Sequence, residues 1–157
     1  MIKIDSSLLE MVSSMAKQSA RLRMNYNFHK EYSDTLQRLL NAIEPGSYLR
    51  PHKHENPDKR EVFTVLRGKV LVVEFDPEGN ITDYMVLEPS AGSFGAEIPE
   101  RTFHCIMALE PGTVVYEVKD GPYSPIDDKN FAAWAPREGD PGCVDYMDGI
   151  LIRVGLH

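Results

Sequence analysis

The chain has 157 residues, of which 42% are hydrophobic and 26% are charged, a balance typical of one globular domain and not of a disordered or fibrous protein. Seventeen Lys and Arg against twenty-four Asp and Glu give a net charge of −7, which argues against non-specific binding to nucleic acid or to an anionic membrane. No apolar run approaches the roughly 20 residues that span a bilayer, and no apolar signal segment opens the chain. The sequence therefore predicts a cytoplasmic protein without nucleic-acid or membrane partners, whose two cysteines, Cys105 and Cys143, are reduced and buried.

The N-terminal region is predicted to begin with a helix. Residues 5 to about 22 carry apolar side chains at three- and four-residue intervals along one side. Ser7 and Glu10 match a capping box at the start of this helix. Residues 21–33 are polar and aromatic without a clear period, which indicates a loop or a short helix.

The remainder of the chain has the pattern of an antiparallel β protein. Turn signals with Pro, Gly, Asn and Asp recur about every ten residues from Leu36 onward. Between them lie runs rich in Val, Ile, Tyr and Phe, at residues 62–66, 70–75, 84–87 and 113–118. Many short strands at even spacing predict a mainly all-β sandwich or barrel. The apolar run 150–154 is compatible with one further strand.

Two of the five histidines, His52 and His54, are separated by one residue in a predicted strand. Because side chains alternate across a strand, both imidazoles lie on one face with their Cα atoms about 6.5 Å apart, within reach of one metal ion. Taken alone, such a pair is more often solvated or packed in a core. Glu61 in the next strand-like run and His104 at the start of a later strand supply further candidate ligands.

The arrangement resembles the two signature motifs of the cupin superfamily. The matching residues are Gly46, His52, His54, Glu61 and Gly68 for the first motif, and Pro99 and His104 for the second. The resemblance implies a cupin double-stranded β-helix, or jelly-roll barrel, in which His52, His54, Glu61 and His104 bind one divalent transition metal. Zn, Fe, Ni, Co and Mn are all acceptable to such a ligand set.

The sequence departs from the cupin pattern at two places. Six residues separate His54 from Glu61, more than the family usually has, and the usual count would place the carboxylate at Asp58. Glu61 is favoured over Asp58 because it keeps the spacing to Gly68, and the extra residues then lengthen a hairpin loop. Arg101 occupies a position where the second motif commonly has glycine.

Longer blocks spread over nearly the whole chain resemble the WbuC family of cupin-fold metalloproteins. They are NFH (27–29), QRLL (37–40), PHKH (51–54), VKDGPY (118–123) and KNFAAWAPREG (129–139). That family is associated with bacterial gene clusters for O-antigen and other surface polysaccharides. The resemblance implies a metal-dependent enzyme, a sugar isomerase, epimerase or oxygenase, that acts on a small-molecule carbohydrate such as a sugar or nucleotide-sugar.

Four side chains are candidates for substrate binding. Arg38 and Arg50 have the strand parity to enter a barrel mouth and hold a phosphate or carboxylate, although either would equally form a surface salt bridge. Tyr48 shares the face of His52, as a pocket wall, a proton carrier or a packing residue. His29 lies in the block 27–29 that resembles the WbuC family, and its side chain would either line the pocket or lie at the surface.

The residues around 113–119 alternate apolar and charged side chains. Glu117 and Lys119 fall on one face, and Val114, Tyr116 and Val118 fall on the other. This alternation is typical of a strand with one solvated side, so Glu117 and Lys119 are predicted to face solvent.

No linker or repeat divides the chain, and three segments of a single domain are predicted. Residues 1–35 form a helix and lead-in, residues 36–125 form the cupin barrel, and residues 126–157 form a C-terminal extension. By the cupin resemblance, this extension is available for a homodimer.

Three other functions compete with the metal-dependent enzyme. They are a non-catalytic metal-containing module that binds a carbohydrate or a protein, a non-haem iron dioxygenase, and a protein with a purely structural ion. The motifs do not separate them, because fold alone does not fix function.

Overall fold

The computed structural model describes residues 1–124 and 129–156 of the chain. Within these residues, two α-helices, ten β-strands and one short 3-10 helix (Pro89–Ala91) form the regular structure. The bounds are α1 Ser6–Gln18, β1 Arg23–Asn27, β2 Leu36–Ile43, β3 His52–Lys53, β4 Glu61–Arg67, β5 Val70–Phe75, β6 Ile81–Leu87, β7 Gly95–Ile98, β8 Phe103–Ala108, β9 Thr113–Asp120, β10 Asn130–Phe131 and α2 Cys143–Arg153.

The strands pair as a nested set of hairpins, which is the topology of a jelly roll. Strand β5 pairs with β6, β4 with β7, β3 with β8 and β2 with β9, all antiparallel. Because successive pairs fall in alternate sheets, the order is β1-β2-β9-β4-β7 in the first sheet and β10-β3-β8-β5-β6 in the second. The predicted fold, a mainly β cupin jelly roll with a short N-terminal helix, is confirmed.

The space between the sheets is apolar at one end and polar at the other. Ile43, Phe63, Val72, Ile106 and Val115 meet at the apolar end from both sheets. Towards the other end, inward positions of the same strands are polar or charged: Asn41, Glu61, His104 and Glu117. The barrel therefore has an apolar plug beneath a polar hollow.

Each sheet is also covered on part of its outer face, which explains the continuous apolar runs in the strands. Helix α1 packs Val12 and Ala16 onto Leu40, Ala42 and Val114 of the first sheet.

The outer face of the second sheet is covered by α2 and by Trp134, which packs 5.2 Å from Phe75 between ring centroids. Met147 and Ile150 of α2 lie in the same cluster. Both cysteines are free and buried there, as predicted, and burial raises the pKa of the Cys105 thiol to about 12.

Several local predictions are wrong, for physical reasons that the structure shows. The N-cap of α1 is Asp5, not Ser7, because an Asp5 side-chain oxygen accepts a hydrogen bond from the backbone N–H of Leu8 at 3.1 Å. The helix ends at Gln18, and residues 21–33 contain strand β1, which extends the first sheet beside β2. The run 150–154 falls mostly in α2, whose buried residues recur every three or four positions.

The four predicted strand runs lie within β4, β5, β6 and β9, so those predictions are confirmed. The predicted boundary between barrel and C-terminal extension, at residues 125 and 126, lies outside the described residues. None of the helices in the described part of the chain is long and apolar enough to cross a membrane.

Strand β7 approaches β4 so closely that Gly95 has no room for a side chain. A Cβ at Gly95 would overlap the carbonyl oxygen of Phe63, whereas a Cβ at Gly149 in α2 meets nothing within 4 Å. We expect Gly95→Ala to lower the free energy of unfolding by about 2 kcal/mol. The matched change Gly149→Ala should raise it by about 0.5–1 kcal/mol through helix propensity. Urea unfolding measures both changes, and equal stability of Gly95→Ala and wild type would contradict this packing.

Candidate metal centre and its cavity

The structure brings the four predicted ligand residues together at the polar end of the barrel. His52 opens β3 and is opposite His104 on β8, while Glu61 is the first residue of β4 in the facing sheet. All four side chains are buried, with residue exposures of 2–4%. One potential ligand atom from each of His52, His54, Glu61 and His104 lies within 4.8 Å of the others.

Two of the imidazoles are oriented by backbone carbonyl groups. Nδ1 of His52 lies 3.1 Å from the carbonyl oxygen of Arg50, and Nδ1 of His104 lies 2.9 Å from that of Thr102. Because a carbonyl oxygen only accepts, each Nδ1 carries the hydrogen and each neutral ring keeps a lone pair on Nε2. Histidines that bind metals are usually held in this way.

The Glu61 carboxylate lies between two imidazoles. Its Oε2 is 2.8 Å from Nε2 of His104, and its Oε1 is 3.0 Å from Nε2 of His54. Burial alone would raise the pKa of Glu61, but the adjacent His104 and His54 side chains outweigh it and hold the pKa well below its usual range. The carboxylate is therefore ionised, and Nζ of Lys119 lies 3.5 Å from Oε1.

This arrangement fits a metal ion. Nδ1 of His104 faces a backbone carbonyl group, so a lone pair on its Nε2 would point at the Glu61 carboxylate across 2.8 Å, an arrangement that calls for a cation or a proton between the two atoms. Nε2 of His52 is buried without a hydrogen-bond partner among the described residues. Burial also holds the pKa of His52 well below its usual value, which keeps the ring neutral, as metal binding requires.

Glu61, and not Asp58, lies beside the histidines. Asp58 is exposed and forms a salt bridge with Arg101 at 2.9 Å, which lowers the pKa of Asp58. The extra residues before Glu61 connect β3 to β4 in the other sheet, so the predicted hairpin loop is wrong. Arg101 has φ +62°, so the backbone keeps the left-handed conformation where the cupin motif has glycine.

A cavity of about 790 Å³ adjoins the cluster, a volume within the usual range of small-molecule sites. His52, Glu61 and His104 line its floor. Its walls come from both sheets and from the segments before β2 and around β10. The cluster of three histidines and Glu61 is thus open on one side to a space that a small molecule can enter.

Two of the predicted substrate residues line this cavity. Arg50 donates from one terminal nitrogen to the carbonyl oxygen of Ala132 at 2.7 Å, and its guanidinium carbon lies 5.5 Å from the centroid of the Phe131 ring. Its Nε is buried and has no hydrogen-bond partner among the described residues. His29 is half-buried, and its Nδ1 lies within hydrogen-bond distance of the backbone of Arg38.

The structure does not bring the other two candidates to the cavity. Gln37 and Leu39 are the residues of β2 that line it there, so Arg38 between them projects from the opposite face. Tyr48 donates its hydroxyl hydrogen to the carbonyl oxygen of Pro136 at 2.8 Å and packs edge-on against Tyr146 of α2. Tyr48 is therefore a packing residue on the outer face of the second sheet.

The prediction that Glu117 and Lys119 face solvent is wrong. Both side chains are buried, at 9% and 5% exposure, and both line the cavity. The apolar side of β9 is the outer one, because α1 covers the face that carries Val114 and Tyr116. The jelly-roll strand order is the signal that would have found them, since it places Lys119 directly opposite Glu61.

Comparison with known proteins gives a family and a fold. A family model described as Domain of unknown function (DUF6016) matches residues 4–87. No protein of curated function matches the chain.

Solved structures share the fold at low sequence identity. KdgF from Halomonas sp. is 20% identical over 65% of this chain and 82% of its own, with a TM-score of 0.51. L-ribose isomerase of Cellulomonas parahominis, solved with L-ribose, is 18% identical over 74% of this chain and 72% of its own, with a TM-score of 0.56. CapF, solved with 3-isopropenyl-tropolone as inhibitor, is 23% identical over 68% of this chain and 30% of its own, with a TM-score of 0.54. At these identities the likeness concerns the fold alone.

The geometry of the cluster predicts that a divalent ion stabilises the fold through Glu61. We expect Zn²⁺ or Ni²⁺ at 100 times its dissociation constant to raise the free energy of unfolding by about 2.7 kcal/mol. Glu61→Gln should weaken metal binding by at least about 100-fold, because the buried carboxylate is the anionic ligand. Asp58→Asn is the matched control and should bind metal as the wild type does. Isothermal titration calorimetry measures the metal affinity of both variants. Equal losses of affinity in both would contradict the assignment of Glu61.

Proposed function

Because this chain belongs to the family described as a domain of unknown function (DUF6016), we infer its function from the site itself and propose a metal-dependent enzyme that acts on a sugar or nucleotide-sugar. One observation carries the proposal. Three buried imidazoles and a carboxylate, with Nε2 of His52 unsatisfied by the described residues, form the floor of a cavity large enough for a small molecule.

His52, His54, Glu61 and His104 would hold one divalent ion, with Zn, Fe, Ni, Co and Mn all compatible with three nitrogens and one carboxylate oxygen. When bound, the ion would polarise a carbonyl or hydroxyl oxygen of the substrate and orient it. A purely structural ion is less well supported, because a cavity adjoins this cluster.

The residues of the cavity supply binding and orientation. Arg50 would hold an anionic group of the substrate, because its guanidinium is already fixed by Ala132 and Phe131. Lys119 lies beside Glu61 and favours the ionised carboxylate. His29 stands at the wall, where its remaining ring nitrogen is available to a substrate hydroxyl.

The resemblance to the WbuC family supports a wider context for this activity. We place the enzyme in bacterial surface polysaccharide biosynthesis, such as that of O-antigen, as a cytoplasmic homodimer. The two free, buried cysteines agree with a reducing compartment. Among proteins of the same fold, an L-ribose isomerase was solved with L-ribose, so a barrel of this type is compatible with a sugar-binding site.

The experiment that tests the proposal combines a substrate screen with His104→Ala. We expect one member of a panel of sugars and nucleotide-sugars to be converted by the metal-loaded wild type, detected by mass spectrometry in D₂O. His104→Ala should lose at least about 100-fold in turnover while sugar binding stays within a few-fold. Asp58→Asn, which removes an exposed carboxyl that is not part of the cluster, should keep full activity.

The outcome also separates the competing functions. Deuterium incorporation into the sugar without oxygen uptake supports isomerisation or epimerisation, whereas oxygen uptake by the iron-loaded protein supports a dioxygenase. If the wild type binds sugars or a partner protein and converts none of the panel, the protein is a binding module and the proposal of an enzyme fails.

A further inference from the structure

Two residues that line the cavity, apart from the His and Glu cluster, each have a buried polar atom with no hydrogen-bond partner among the described residues. They are Oδ1 of Asn41, which is an acceptor, and Nε of Arg50, which is a donor. Buried polar atoms in native proteins are nearly always hydrogen-bonded. An orphan acceptor and an orphan donor in one cavity therefore point to a ligand that supplies both partners.

The acceptor is fixed in place by its neighbour. Nδ2 of Asn41 donates a hydrogen bond to Oε2 of Glu117 at 3.2 Å, which leaves Oδ1 for another donor. Oδ1 can only accept, so its partner has to be a hydroxyl or an N–H group. The Glu117 carboxylate beside it is a second acceptor in the cavity wall. Two adjacent acceptors suit a ligand with several hydroxyl groups.

The donor is fixed from two sides. A terminal nitrogen of Arg50 donates to the carbonyl oxygen of Ala132, and the guanidinium lies over the ring of Phe131. The orientation of the guanidinium plane is thereby set before any ligand arrives. A positively charged N–H group that is held in this way binds most strongly to a carboxylate or phosphate oxygen.

The charge of the cavity differs from that of the whole protein. The chain has a net charge of −7, but five of the described lining residues are Lys or Arg and three are Glu. Arg21 and Arg23 pair with Glu138, and Lys119 lies beside Glu61, so the lining keeps a modest excess of positive charge, which attracts ligands of the opposite sign. The cavity therefore favours an anionic ligand in spite of the acidic chain.

We propose that the cavity binds a sugar that carries an acidic group, with a sugar hydroxyl on Oδ1 of Asn41 and the oxyanion on Nε of Arg50. Asn41 belongs to the first sheet and Arg50 leads into β3 of the second, so the ligand bridges the two sheets beside the metal cluster. The inference rests on the proposed function and names its substrate class. A carboxylate and a phosphate offer the same oxygen chemistry to Arg50.

Equilibrium binding tests this without requiring turnover. Isothermal titration calorimetry on the full chain, with and without Zn²⁺, would compare D-glucuronate, D-galacturonate and glucose 6-phosphate with neutral glucose and galactose, and with acetate and inorganic phosphate. At least one acidic sugar should bind about 10-fold or more tightly than its neutral counterpart and than the simple anion. The uronates and the sugar phosphate distinguish the two sources of the oxyanion.

Two arginine variants provide a matched comparison, since both remove one positive charge near β2 and β3. Arg50→Gln should weaken binding of the acidic sugar by about 10- to 100-fold and leave neutral sugars unchanged. Arg38→Gln, on the opposite face of β2, should leave both affinities within about two-fold. Asn41→Ala should weaken acidic and neutral sugars alike.

The proposal is overturned if neutral sugars bind as well as acidic ones, if acetate and phosphate bind as well as acidic sugars, if Arg38→Gln matches Arg50→Gln, or if no compound binds. The wild-type comparison of ligands stands even if Asn41→Ala does not fold. Tight binding of an acidic sugar without turnover would refute the enzyme but uphold this inference. Conversion of neutral sugars alone would uphold the enzyme and refute this inference.

Discussion

A buried carboxylate surrounded by imidazoles is the interaction on which the rest of this structure depends. Glu61 is ionised between His54 and His104 in a place with almost no solvent. An isolated charge in such a place would be prohibitively costly, so the barrel has to surround it with donors, a cation or both. Lys119, whose Nζ lies 3.5 Å from Oε1, and the two adjacent imidazoles help to meet this requirement.

Polar side chains inside a barrel reduce the hydrophobic contribution to its stability, and apolar layers elsewhere in this fold offset that reduction. The plug around Phe63 and Ile106 fills the far end, while α1 and α2 bury the outer faces of the two sheets. Hydrophobic burial of about 25 cal/mol per Å² favours the fold in proportion to this covered area. The two helices thus contribute to the site without contacting it, because they supply stability that the hollow removes.

The fold and the convergence of three histidines and a glutamate could be predicted from the sequence because their signals are local or are carried by motif spacing. Turn residues at regular intervals indicate the strands, and the pattern around His52, Glu61 and His104 indicates which side chains converge. The inward direction of Glu117 could not be predicted from the alternation alone, since an apolar and polar alternation looks the same whether the apolar side faces a barrel or a helix. For the same reason, Arg38 was assigned to the cavity although it lies on the other face of its strand.

The contact of α1 with β9 has a consequence for the fidelity of assembly. Side chains alternate with a period of two, so a shift of β9 by one residue would turn Tyr116 and Val118 into the hollow and move Glu117 and Lys119 beneath the helix. Val114 lies in the buried cluster beneath α1, with Tyr116 packed against it. A slipped strand would therefore lose an apolar contact on one side and bury charge on the other. Packing of the N-terminal helix on β9 therefore disfavours a register shift of this strand. It thereby keeps Glu117 and Lys119 on the opposite face of the sheet, where they line the polar cavity.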